Sequence, residues 1–151
     1  MEKENNDNNE QTVPYLSASK MGKLMELISQ RSLISIDPGY FKNYGFGQAD
    51  AYLAINTLKF LGIIDDNGKS TDTLRKFQLL GDSRNSEVQQ ILKITYKKLF
   101  SVTNDAYKLS KDHLTNEFMH LYSLSRRIAI SAVPAFLKLS EALALPEDPF
   151  S

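Results

Sequence analysis

The sequence predicts a mainly α protein, and three observations carry that expectation. Apolar residues recur at the three- and four-residue spacing that places them on one face of a helix, in segments divided by Gly, Pro, Ser and Asp. "YGFGQ", Tyr44 to Gln48, puts two glycines between two short helical patterns, the tight break of a helix-turn-helix. "GIIDDNGKST", Gly62 to Thr71, then sets a branched pair before an Asn-Gly dipeptide and a polar return, the composition of a β-hairpin. Together they predict a winged helix-turn-helix with a small β-hairpin wing over residues 13–82. A C-terminal helical extension over 83–146 is expected to pack on it, with tails at 1–12 and 147–151.

Each element has its own signal. Residues 1–12, "MEKENNDNNEQT", are rich in Asn and Glu and have no periodicity, so a disordered tail is expected. Ser17 or Ser19 then caps a first helix whose face is Met21, Leu24, Met25 and Ile28, ending near Arg31. "SLISI", Ser32 to Ile36, reads as a small strand or an extended connection. Asp37 and Pro38 supply an N-cap and a first-turn proline for a short second helix with Tyr40, Phe41 and Tyr44 as its apolar residues. The third helix, "QADAYLAINTLKFL", places Ala51, Ala54, Ile55, Leu58 and Leu61 inward, and Gly62 ends it. Ile63 and Ile64 form one arm of the hairpin, Asn67-Gly68 its turn and Lys69 to Thr71 the return.

The second half is helical throughout. "STDTLRKFQLL" is a short capped helix, and Ser86 with Gln89 makes a capping box for "SEVQQILKITYKKLF", which buries Val88, Ile91, Leu92, Leu99 and Phe100. A further helix starts at Ser110 with Leu114, Phe118 and Leu121 inward. The last runs from Ser125 to Leu145, and Pro134 must kink it or divide it.

Composition narrows the function classes. A chain of 151 residues, 42% hydrophobic and 24% charged, has the size and balance of one globular unit. Absence of Cys excludes disulfides, thiolate metal sites and a Cys nucleophile. The longest apolar run, Ile128 to Leu137, falls well short of the roughly 20 residues that span a bilayer and contains Pro134. With no apolar signal segment at the N-terminus, a soluble cytoplasmic protein is expected. Net charge is zero, but Lys3 stands against Glu2, Glu4, Asp7 and Glu10 within residues 1–12. That stretch carries −3 and the remainder +3, well short of the concentrated basic face of a typical DNA-binding domain.

Four stretches, "VPYLSASKMGKLMELI", "YGFGQADAYLAINTLKFLGIIDDNGKST", "ITYKKLFSVTNDAYKLSKDHL" and "AFLKLSEALAL", occur in an order that resembles the prokaryotic family known as domain of unknown function 5343. The likeness covers nearly everything after residue 12. It implies a winged-helix-like first part with a helical extension, and it brings no activity, substrate or catalytic residue. Tyr52 departs from the family pattern, in which Arg is frequent, so no phosphate contact is carried over to that position.

A DNA-reading winged helix needs Arg, Lys, Asn or Gln on the outer face of its third helix and on its wing. Here the outward positions are Gln48, Tyr52, Asn56 and Lys59, with Asp50 in the first turn, where it opposes phosphate. The wing sets Asp65 and Asp66 against Lys69. A neutral helix and a wing of charge −1 release few counterions, which favours a hairpin that closes the core or contacts protein. A more basic feature comes from Lys93 and Lys97, which share a face with Gln90, from adjacent Lys98, and from Arg126-Arg127 at the start of the last helix. Folded together they would form a phosphate-binding strip, although lysines on an outer helical face are ordinarily just solvated.

His113, Glu117 and His120 in "HLTNEFMH" follow one another on one helical face, yet they match neither a zinc-protease helix nor a paired di-iron motif. No Gly-rich phosphate loop follows a strand, and no nucleophile elbow occurs. The sequence therefore predicts a protein that is not an enzyme and uses no metal or cofactor. A non-enzymatic interaction module is expected, binding a protein partner or its own copy and no membrane, with no small-molecule substrate evident. The alternative is a DNA-binding regulator contacting duplex DNA, and a metal-dependent enzyme ranks last.

Overall fold

In the computed structural model, the described residues are 12–30 and 36–141. Helix α1, Ala18–Gln30, begins where the Ser17 hydroxyl accepts the Lys20 N–H at 3.2 Å, and it buries Met21, Leu24 and Ile28. Val13 and Leu16 ahead of it join the same core. The extended segment expected over 32–36 lies outside the described residues except for Ile36, which is buried. Helix α2, Pro38–Lys42, starts as expected, with the Asp37 carboxylate accepting the Tyr40 N–H at 3.1 Å. Its Phe41 is buried against Tyr40 and Phe46.

The break before α3, Gln48–Phe60, turns on Gly45, whose φ of +87° an L side chain rarely adopts. Lys20 holds this turn from α1, its Nζ donating to the Gly45 carbonyl at 2.7 Å and lying 5.3 Å from the centre of the Phe46 ring. All five expected inward residues, Ala51, Ala54, Ile55, Leu58 and Leu61, are buried, and Gly62 leaves the helix at φ +77°.

The hairpin is smaller than the expected wing. Among the described residues there is no strand, and Ile64 and Ser70 pair in an isolated antiparallel bridge. The cause is local. Ile63 and Ile64 both donate their N–H groups to the Leu58 carbonyl, at 2.9 and 3.4 Å, so they finish α3 instead of opening a ladder. Thr71 closes the other side, its hydroxyl donating to the Gly62 carbonyl and its N–H to Ile63 at 2.9 Å. A β-hairpin wing built from two paired strands is therefore corrected to a tight turn tied to the end of α3.

Helix α4, Thr73–Phe77, buries Leu74 and Phe77. Helix α5, Gly81–Thr95, begins five residues ahead of the expected capping box, so Ser86 sits inside the helix and caps nothing. Extended Leu80 and Gly81 at φ +59° make the start, with Asp82 in the first turn. Nor does one helix carry "SEVQQILKITYKKLF": Tyr96 leaves helical geometry at φ −106°, ψ 36°, and α6, Lys97–Val102, starts anew. After a 3-10 turn at Ala106–Lys108 come α7, Lys111–Leu121, and α8, Arg126–Leu139. The hydroxyls of Ser110 and Ser125 cap them, accepting the His113 and Ile128 N–H groups at 3.1 and 3.2 Å. A single helix runs through Pro134, and residues 142–145 of the expected last segment lie outside the described residues.

Packing joins the two halves. α1 lies on α8, α4 on α5 and α7 on α8. Tyr96, Phe118 and Phe136 from the second half and Phe60 of α3 form one aromatic cluster, edge to face at 4.9 to 5.8 Å except for the tilted Tyr96–Phe118 pair at 6.3 Å. The boundary expected at 82/83 falls in the first turn of α5. Among the described residues no helix is long and apolar enough to cross a membrane.

Candidate interaction surfaces

α3 displays the residues expected of its outer face. Gln48, Tyr52 and Asn56 are exposed, Tyr52 to 52%, while Asp50 in the first turn and Lys59 in the last are half-buried. An aromatic ring and two amides therefore face outward, and the helix's one cation is partly withdrawn. Lys69 on the hairpin is exposed beside Asp65 and Asp66.

The hairpin spends its polar groups on itself. The Asp65 carboxylate accepts the N–H groups of Asn67 and Lys69, at 2.8 and 3.0 Å. Gly68 is buried at φ +83°, and its carbonyl accepts the Ile36 N–H at 2.8 Å. A Cβ at Gly68 would stand 2.5 Å from the Ile36 oxygen. This turn is built to seat on the chain at Ile36.

The more basic residues lie elsewhere in the chain. Lys93, Lys97 and Lys98 are all exposed, and so are Arg126 and Arg127. Lys98 lays its ammonium 5.8 Å from the centre of the Tyr122 ring, and the Tyr122 hydroxyl accepts the Leu99 N–H at 3.3 Å. These contacts pin the start of α6 to the end of α7. Ser123, at φ +54°, turns the chain there, and Ser125 caps α8, whose first two residues are Arg126 and Arg127. Lys97 and Lys98 thus begin α6 beside Tyr122, four residues ahead of Arg126 in the chain, and Lys93 lies one turn back along α5. The Phe60 ring, 5.0 Å from Tyr96, sets the last turn of α3 against the α5–α6 break that leads into Lys97 and Lys98.

Burial acts on Tyr96 and Tyr122. It pushes the Tyr122 phenol up to about 12, partly offset by the Leu99 N–H that its oxygen accepts. Burial also drives Tyr96 well above its ordinary value, with repulsion from Tyr122 adding to it.

Two side chains here were not singled out by sequence reasoning. Ile94 is 70% exposed and Ile130 52% exposed, the first between Lys93 and Lys97, the second one turn after Arg126. Their signal was present in the periodicity, since Ile94 falls off the face formed by Ile91, Leu92 and Leu99. His113 and Glu117 make an ion pair at 3.4 Å on α7, with His120 exposed one turn on. Among the described residues no three His, Asp or Glu side chains are grouped to hold a metal ion.

No curated protein and no solved structure matches this chain. A family model does match residues 14–144, a span that contains every helix described above, and the chain belongs to that family, DUF5343, a family of unknown function.

Proposed function

We propose that this protein is a non-enzymatic interaction module that binds another protein chain or its own copy through the outer face of α3. Tyr52 is the observation that carries this reading: it stands half-exposed where a DNA reader would place a cation or an amide, between exposed Gln48 and Asn56. Tyrosines in such positions supply large contact area at low entropic cost and are enriched at protein interfaces. The test is sedimentation of the purified protein with and without Tyr52→Ala, together with photo-crosslinking from residue 52 in cells. Concentration-dependent association, or a specific crosslinked partner, lost with Tyr52→Ala is the expected result. A protein that stays monomeric, crosslinks to nothing and binds duplex DNA at physiological salt would overturn the proposal.

A second reading has its own support in the exposed Lys97, Lys98, Arg126 and Arg127. Through them the protein would hold nucleic-acid phosphates, as a regulator binding duplex DNA. Fluorescence anisotropy on random duplex DNA across a salt series separates the two readings, because phosphate contacts make affinity fall steeply with salt. Lys97→Glu with Arg127→Glu would remove binding on this reading, and Lys59→Glu with Lys69→Glu tests the α3 and hairpin surface in the same assay.

A further inference from the structure

Two adjoining recesses open between α1, the α4–α5 corner and the end of α8, away from the surfaces named above. One, of about 230 Å³, has Met25, Phe77, Val88 and Leu139 as its apolar walls. The other, of about 420 Å³, continues past Met25 to Leu79 and Leu80, which are 40% and 86% exposed. Arg84 lines both. Its Nε donates to the Phe77 carbonyl at 3.2 Å, which fixes the plane of the guanidinium and leaves both terminal nitrogens to other partners. Among the described residues no carboxylate pairs with it: Glu141 pairs with Lys138 at 3.2 Å, Glu87 pairs with Lys76 at 3.6 Å, and Glu26, on the wall of the larger recess, makes no ion pair with Arg84. Arg84 is half-buried beside Met25, Phe77 and Val88 and makes no ion pair with the two glutamates that line the recesses, so a counter-charge from outside can reach it.

We infer that this cleft binds a small carboxylate with an apolar body, its carboxyl group held by the terminal nitrogens of Arg84 and its hydrocarbon part against Met25, Phe77, Val88 and Leu139. The inference is independent of the α3 reading, since it uses none of the same residues. The cleft is formally neutral, Arg84 and Lys138 standing against Glu26 and Glu141, so a monocarboxylate held by Arg84 fits better than a doubly charged phosphate. Gly22 belongs to the same wall: a Cβ there would come within 2.9 Å of the Lys138 Cε, so the glycine makes room for the lysine stem that closes this end.

The probe is octanoate at neutral pH, followed by the methyl resonances of labelled methionine in the full chain. Met25 lines both recesses, while Met21 is buried in the core and Met119 lies on α7, so those two serve as internal references. A saturable shift of Met25 alone is expected. Octanol in place of octanoate, and Arg84→Gln in place of the native residue, should each weaken binding by about tenfold or more, whereas Arg84→Lys, which keeps the charge but loses the fork, should fall between Arg84→Gln and the native protein. No saturable shift at Met25 would overturn the inference. So would equal binding of octanol, which would mean an apolar patch without a charge contact, or equal binding of acetate, which would mean an adventitious ion only. The octanoate–octanol comparison on the native protein decides the matter even where Arg84→Gln fails to fold.

Discussion

Replacing Tyr96 by Phe removes one oxygen atom and leaves its packing intact. The ring is fully buried, 4.9 Å from Phe136, 5.0 Å from Phe60 and 6.3 Å from Phe118. Its hydroxyl has no hydrogen-bond partner among the described residues. A buried polar group left without a partner costs about 1–3 kcal/mol, because it has given up its bonds to water. The space vacated by one oxygen returns a fraction of that as lost contact. Tyr96→Phe is therefore expected to stabilise the protein by about 1–2 kcal/mol, or roughly 2–6 °C in Tm for a chain of this size. Urea unfolding at 25 °C, followed by far-ultraviolet circular dichroism, should show a higher midpoint at an unchanged slope. A loss of 1 kcal/mol or more would mean that the hydroxyl is hydrogen-bonded in the folded protein, and the reasoning would fail.

The same variant has a pH signature. Burial holds the Tyr96 phenol well above its ordinary 10, and the Tyr122 phenol at about 12. The folded state thus retains protons that the unfolded chain releases from about pH 10 upward. Stability from these two groups is complete below pH 10 and is lost as pH rises through 10 toward 12. Phe at position 96 cannot ionise when unfolded, so its advantage over the native protein should widen between pH 8 and pH 11. A constant difference across that range would refute the burial argument for Tyr96.

Four further substitutions probe the local geometry. Gly68→Ala combines a φ of +83° with a Cβ placed 2.5 Å from the Ile36 oxygen, so a loss above about 2 kcal/mol is expected in urea unfolding. Gly81→Ala, at φ +59° with nothing within 4 Å, should cost only about 1 kcal/mol, which isolates the clash from the backbone strain. Ser125→Ala removes the acceptor of the Ile128 N–H and should lower stability by about 1 kcal/mol, read in the same assay. Arg127→Glu replaces a cation by an anion in the first turn of α8 and should raise stability by a few tenths of a kcal/mol in the same assay, while removing any binding that depends on Arg127.

What the sequence made legible was governed by neighbours in the chain. Asp37 caps as expected, and the helices expected to start at Ser110 and Ser125 do start there, each of the three side chains accepting an N–H three residues on. The inward residues of α1, α3 and α7 follow from spacing alone. Ser86 satisfied the same local rule and failed, because Leu80 and Gly81 had already turned the chain into helix. Tyr96 was beyond local reading: the apolar period runs straight through "KITYKK", and its ring is enclosed by Phe60, Phe118 and Phe136, which come from three other helices. The hairpin shows the reverse case. Its Asn-Gly turn was correctly placed, but the N–H groups of Ile63 and Ile64 were claimed by Leu58, a competition that no alternation pattern records. For the candidate surface, exposure of Lys93, Lys97 and Lys98 was readable from the helical face. That α6 begins beside the end of α7 depends on Lys98 lying over Tyr122, a contact no helical period records.

The start of α8 departs from how several other helix ends are treated. Asp50, Asp82 and Asp112 stand in the first turns of α3, α5 and α7, and Lys42, Lys59 and Lys93 in the last turns of α2, α3 and α5, each with the sign that the helix dipole favours. α8 has the opposite arrangement: two arginines at its start, no acid in its first turn, and Ile130 half-exposed one turn later. Ser125 alone offsets the unpaired N–H groups. Helix α6, which opens on Lys97 and Lys98 with no acid in its first turn, has the same arrangement, and α1 carries Lys20 in its first turn and no base in its last, so the departure is shared and each instance weakens its helix only slightly. Arg127→Glu tests that cost and the binding in a single molecule. A more stable protein that no longer binds would locate function at the start of α8, and a more stable protein with binding unchanged would return the site to α3.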